Sequence, residues 1–154
     1  MSEATLQADI QRELLRITGT FSSGDVVIDD WSVLDGPNAN APYVIILTSD
    51  TLSVTQIQTE TPLFSYTIPF YVIVKFIDWD TSRAALGVAR QTVINWLAAP
   101  DSFQAASGRL AWGMRSISAV EPVSEIYSRY EENPAESLPI FLAHKLAAVV
   151  EYIV

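Results

Sequence analysis

The stretch YTIPFYVIVKFIDWD, residues 66–80, limits the possible folds more than any other part of the chain. With period two, one row of side chains is Tyr66, Ile68, Phe70, Val72, Val74 and Phe76. The other is Thr67, Pro69, Tyr71, Ile73, Lys75 and Ile77. An antiparallel strand with one wet face alternates apolar and polar residues, and this one is apolar on both rows. It must therefore be covered twice. Pro69 has no backbone donor, which places that part of the strand at an edge or a bulge.

Around it the chain reads as one α+β domain, 1–154, with a mainly antiparallel or mixed sheet of about four to five strands and two main helices packed on one face. Leu6, Ile10, Leu14 and Ile17 form the apolar stripe of a helix over 3–17, with Ser2 as its cap and Gly19 as its stop. DVVIDDWSVL (25–34) is a short extended piece, followed by the turn-rich DGPNANAP. YVIILTSD (43–50) and LSVTQIQTE (52–60) are two strands joined as a hairpin at Ser49-Asp50-Thr51, the second more polar and suited to an edge or a projection. Asp80 stands as the cap of a helix over 81–98, whose buried stripe is Leu86, Ala89, Val93 and Leu97. RLAWGMRSISAV (109–120) alternates as a strand, and local strand is expected around Ile126 to Tyr130. The alanines of LPIFLAHKLAAVVEYIV permit a helix, but its β-branched ending favours a long strand.

Composition removes several functions. The chain carries a net charge of −9, and between Arg16 and Lys75 it holds Asp25, Asp29, Asp30, Asp35, Asp50 and Glu60 with no basic residue. Such a balance opposes charge-driven binding of nucleic acid and docking on an anionic membrane. The acidic stretch is a solvated face or a surface that repels polyanions. There is no cysteine, so thiol catalysis and thiolate metal sites are excluded. MSEATLQADIQREL lacks the basic start and apolar run of a signal peptide, and the apolar runs 68–77 and 146–154 are too short for a membrane helix.

No motif for catalysis stands out. His144 is the only histidine and sits in an apolar run, where a hydrogen-bonded strand residue is the simpler role. Asp29-Asp30 and Asp78-Asp80 offer carboxylates for a hard cation, but neighbours on a strand point to opposite faces and Asp80 has a capping role. Glu131-Glu132 is most simply solvated, and no phosphate-cradling glycine loop or nucleophile elbow is present. Trp31, Trp79, Trp96 and Trp112 lie on different elements as core or interface anchors. No catalytic residue, cofactor or metal ligand is assigned, and the apolar excess points to a non-catalytic protein that assembles with other chains.

The helix ATLQADIQRELLRI, the segment YVIILTSDTLSVTQIQTE, the strand YTIPFYVIVKFID, the helix TSRAALGVARQTVINWLAA and the closing AHKLAAVVEYIV occur in an order that resembles the tail terminator (tail completion) proteins of long-tailed bacteriophages. The resemblance implies a ring, usually of six subunits, that caps the finished tail tube at its head-proximal end. Its partners would be further copies of itself, the major tail tube protein and the head-tail connector protein. It would be made in the host cytoplasm and reside in the virion. A ring of six would carry about −54 (six times −9), and a negative channel lets DNA pass without specific binding.

On this model Asp50, Thr51, Ser53, Thr55, Gln56 and Gln58 are candidates for tube contact. Leu6, Ile10, Phe70, Val72, Tyr152 and Val154 are candidates for subunit contact. A sibling neck, stopper or tube protein is the near alternative. A small cystatin-like ligand-binding protein or enzyme, with Asp30, Asp78 and His144 around a pocket, is the alternative of a different class.

Overall fold

The structure, a computed structural model, describes residues 3–17, 19–35, 42–48, 51–56, 62–98, 112–126 and 138–153; at 35, 51–56, 62–64, 112–115 and 151–153 only the backbone is described. The elements run α1 (Glu3–Leu15), β1 (Val26–Ile28), a 3-10 turn (Trp31–Asp35), β2 (Tyr43–Ile46), β3 (Thr51–Gln56), β4 (Pro62–Lys75), α2 (Trp79–Leu97), β5 (Trp112–Ala119), β6 (Ser124–Ile126) and β7 (Phe141–Ile153). The chain folds as an α+β domain with one mixed sheet. Its seven described strands lie in five rows, β1-β2-β4-β7-β5, with β3 continuing the row of β2 and β6 continuing that of β5. Only β1 and β2 run parallel.

The centre is the antiparallel ladder of β4 on β7, from Leu63↔Ile153 to Lys75↔Phe141. The alanine-containing last run is thus a strand. Central strands take small residues where neighbours press closely, and Ala143, Ala147 and Ala148 are all buried.

The expected hairpin at Ser49-Asp50-Thr51 is not formed. β2 and β3 both pair antiparallel with β4, at Ile46↔Phe70 and then Thr51↔Thr67, so they are two halves of one row. Four residues span the gap between Ile46 and Thr51, opposite two on β4, which inserts a bulge of two residues. The hairpin lies one step later, between β3 and β4, where Gln56 pairs with Pro62. Asp50 and Gln58 lie outside the described residues.

Pro69 explains the position of the break. Its carbonyl accepts from the Leu47 N–H at 2.9 Å, so its nitrogen faces the same side. The missing donor of a central strand therefore points to the place where the ladder is interrupted, and it removes no bond that the neighbour could make.

α1 and α2 cover one face. Leu6, Ile10 and Leu14 of α1 and Leu86, Ala89, Val93 and Leu97 of α2 pack with Tyr66, Ile68, Phe70, Val72 and Val74 of β4 and with Leu142, Leu146, Ala148 and Val150 of β7. Polar side chains fasten α1. Gln11 Nε2 donates to the Val26 carbonyl at 2.8 Å, and the fully buried Glu13 accepts from the Trp96 indole N–H of α2 at 3.0 Å and from Arg16 at 3.2 Å.

The second row of β4 is covered by the chain itself. Asp29, at φ +50, turns the chain after β1 and ties itself to Thr48, whose hydroxyl donates to its carboxylate at 2.8 Å. Aspartate tolerates this left-handed conformation because its short side chain bonds locally. The 3-10 turn is thereby laid over the sheet. Val33 and Leu34 pack against a second core of Tyr43, Ile45, Ile73, Phe141 and Ala143.

Two further sequence expectations need correction. α2 starts at Trp79, and its cap is Asp78, not Asp80: the Asp78 carboxylate accepts from Thr81 N–H at 2.8 Å. Leu6, Ile10, Phe70 and Val72 are fully buried inside the protomer, which leaves their side chains no surface to offer a neighbour.

Phe70→Ala is expected to destabilise the fold by about 3–5 kcal/mol in urea unfolding, the cost of emptying a central core site. In the same assay Asp78→Ala lowers the midpoint and Asp80→Ala does not; the reverse order would return the cap to Asp80.

Candidate assembly surfaces

The two breaks in the outer rows share a design. On the far side of the sheet β5 ends at Ala119↔Leu146 and β6 begins at Ser124↔Ala143, so four residues again stand opposite two. The first residue past the strand donates back to the central strand in both cases: Leu47 N–H to Pro69 at 2.9 Å, and Val120 N–H to Lys145 at 3.1 Å. At the first break the carbonyl of the half-buried Leu47 needs a donor. Gln7 of α1 donates to Leu47 at 2.8 Å. At the second break the His144 ring lies beside the backbone of Glu121.

This assigns His144 a structural role. It lies on the helix face of β7, 6% exposed, with Nδ1 2.9 Å from the Arg90 guanidinium of α2. Arg90 can only donate, so Nδ1 is the acceptor and the imidazole is neutral. Burial lowers its pKa from the ordinary value of 6.5, the Arg90 charge lowers it further, and the bond to Glu121 opposes both. On the other face Lys145 Nζ lies 3.7 Å from the Glu121 carboxylate, so adjacent residues of β7 grip the same corner from both sides.

The pocket constellation is not assembled. Asp30 is exposed and accepts from the Ser32 N–H at 3.0 Å and from its hydroxyl, bonds that hold its carboxyl below the usual range. Asp78 is occupied by Thr81 and is lowered by the same kind of bond. His144 faces a cation, where a general base would need a carboxylate to orient it. Sequence reasoning found the histidine but missed its partner, because Arg90 lies 54 positions away on a helix. The Asp29 carboxylate is likewise engaged, by Thr48.

What the surface offers is edge and apolar side chain. β3 and the β3–β4 hairpin form the edge of one half of the sheet, with Thr51 opposite Thr67, Ser53 opposite Ser65 and Thr55 opposite Leu63. Gln56 closes the pairing against Pro62. Tyr152 pairs with Phe64 on one side and Trp112 on the other, in the interior of that half, and Val154 lies outside the described residues. Ile77, Val88 and Leu138 are each more than 60% exposed, and Val120, Val123 and Trp31 more than 40%. Among the described residues no helix is long and apolar enough to cross a membrane.

No family model matches the chain, and no curated protein matches it. A solved chain from the virion of the native gene transfer agent (GTA) particle is similar in structure, with a TM-score of 0.53 and 15% identity. The likeness covers 99% of this chain and 96% of that one. The two share a fold.

The histidine arrangement predicts a pH dependence. With the native pKa lowered, the unfolded chain binds the extra proton, so stability is complete above about pH 6.5 and falls as the pH drops below it. His144→Gln should flatten that slope between pH 7 and 5 in urea unfolding. An unchanged slope would mean that another group carries it.

Proposed function

We propose that this protein is a structural component of a phage-like virion, of the tail terminator type: a ring, usually of six copies, at the head-proximal end of the tail. The observation that carries this is the end-to-end likeness of fold to a chain of a gene transfer agent virion. The element order that resembles tail terminators agrees with it, and the role requires no catalytic group. In that position the ring would stop tube polymerisation and present its other side to the head connector.

The β3–β4 hairpin is the natural contact for the tube protein. It combines a sheet edge with polar side chains, and an edge strand is a template for further pairing. Thr51, Ser53, Thr55 and Gln56, with Asp50 and Gln58, would serve there. Tyr152 and Val154 would serve subunit contact. The net charge of −9 per copy would line the assembly with negative potential and keep DNA mobile within it.

Electron microscopy of particles carrying a tagged chain tests the proposal. One ring at the head-proximal tail end is expected, and particles made without the chain should carry tails of uncontrolled length. Label repeated along the tube would make it a tube protein, and its absence from particles would overturn the virion role.

A further inference from the structure

His144, the only histidine of the chain, stands opposite a gap in the sheet. β5 leaves β7 after Ala119↔Leu146 and β6 joins it at Ser124↔Ala143, so His144 and Lys145 are the two residues of β7 that face the break. A backbone bond from Val120 N–H to the Lys145 carbonyl, at 3.1 Å, bridges the gap. On its other side His144 pairs with Val72 in the uninterrupted ladder of β4 on β7. The ring is thus carried by the firmest strand pair of the fold and faces one of its two interruptions.

The groups around the ring are suited to a neutral imidazole only. From α2 comes Arg90, whose guanidinium lies 2.9 Å from Nδ1 and, among the described residues, has no carboxylate partner. From β4 comes the apolar Val72, and from the break comes the backbone of Glu121. The Glu121 carboxylate is engaged by Lys145, whose Nζ lies 3.7 Å away on the opposite face of the sheet. An imidazolium here would be a second cation against Arg90, in a side chain only 6% exposed. A buried charge without a counter-charge must be neutralised, hydrated or moved.

The layout decides what moves. The half-buried Arg90 has a long stem, so its guanidinium reaches water at small cost. His144 is held in the central ladder and cannot follow. The two ends of α2 are fastened independently, by the Asp78 cap at its start and by the Trp96 bond to Glu13 near its end, and Arg90 lies between them. We propose that this corner is an acid-operated latch: protonation of His144 expels Arg90, and the middle of α2 and the β5–β6 break loosen from β7 while the β4–β7 ladder stays paired. Local opening of this kind draws on the least paired part of a structure. The latch belongs to the protomer and does not depend on the assembly role above.

Amide hydrogen exchange at pH 7.5 and pH 5.5, corrected for the intrinsic change in exchange rate, tests it on the whole chain. Amides of residues 86–93 and 119–124 should lose protection relative to those of the β4–β7 ladder. The loss should reach up to about tenfold, because uptake of one proton on opening shifts the opening equilibrium tenfold per pH unit below the ordinary histidine range. His144→Gln offers Arg90 an acceptor and takes up no proton, so it should show no such loss. With a single histidine, the ring resonance can also be followed by NMR without ambiguity. Arg90→Met removes the second cation and should raise the midpoint of that titration. Equal loss of protection in the ladder would mean that acid acts on the whole fold, and would overturn the latch. So would His144→Gln responding like wild type, or a midpoint that Arg90→Met leaves unchanged.

Discussion

The structure depends on the long pairing of β4 with β7. Its two strands come from distant parts of the sequence, and every other layer is laid on them: β2 and β3 along one side, β5 and β6 along the other, helices above, the 3-10 turn below. A ladder of this length is twisted, and flanking strands that stayed in register over all of it would have to follow that twist. Both flanking rows instead break, with the same surplus of two residues and the same backbone bond back to the centre.

The breaks govern where polar chemistry enters the core. A bulge frees backbone groups, and inside a fold these must be satisfied. Gln7 does this at the first site, from a helix. At the second break the Arg90–His144 contact ties α2 to β7, while Lys145 approaches Glu121 from the opposite face. A residue set that could be taken for a catalytic remnant is better understood as the support of a bent sheet. That support keeps the two halves of the sheet in fixed relation.

Much of the layered plan was legible in the sequence, and the reasons are local. The apolar stripe of α1, the stripe of α2 and the alternation of β4 follow from periodicities of 3.6 and 2 that each segment carries alone. The β-branched end of β7 outweighed its alanines for the same reason. Local pattern does not suffice where a distant partner decides. Ser49-Asp50-Thr51 has turn composition, but composition does not reveal that β2 and β3 share β4 as their common partner. Asp78 and Asp80 are equally good caps in isolation, and only the direction in which the chain leaves β4 selects Asp78. Leu6 and Phe70 carry the apolar character of an interface or of a core, and packing chose the core.

The sequence by itself therefore determined that β4 is covered on both faces, that two amphipathic helices supply one cover, and that a strongly acidic chain without cysteine carries no thiol or thiolate chemistry. Only the tertiary structure decided what the second cover is. The 3-10 turn is too short to announce itself by periodicity, and the Asp29 corner bonded to Thr48 is what lays it across the sheet. The structure likewise placed His144 against Arg90, which makes the histidine a neutral acceptor. Both outcomes depend on contacts between residues far apart in the chain, and such contacts have no signature in the local pattern of either partner.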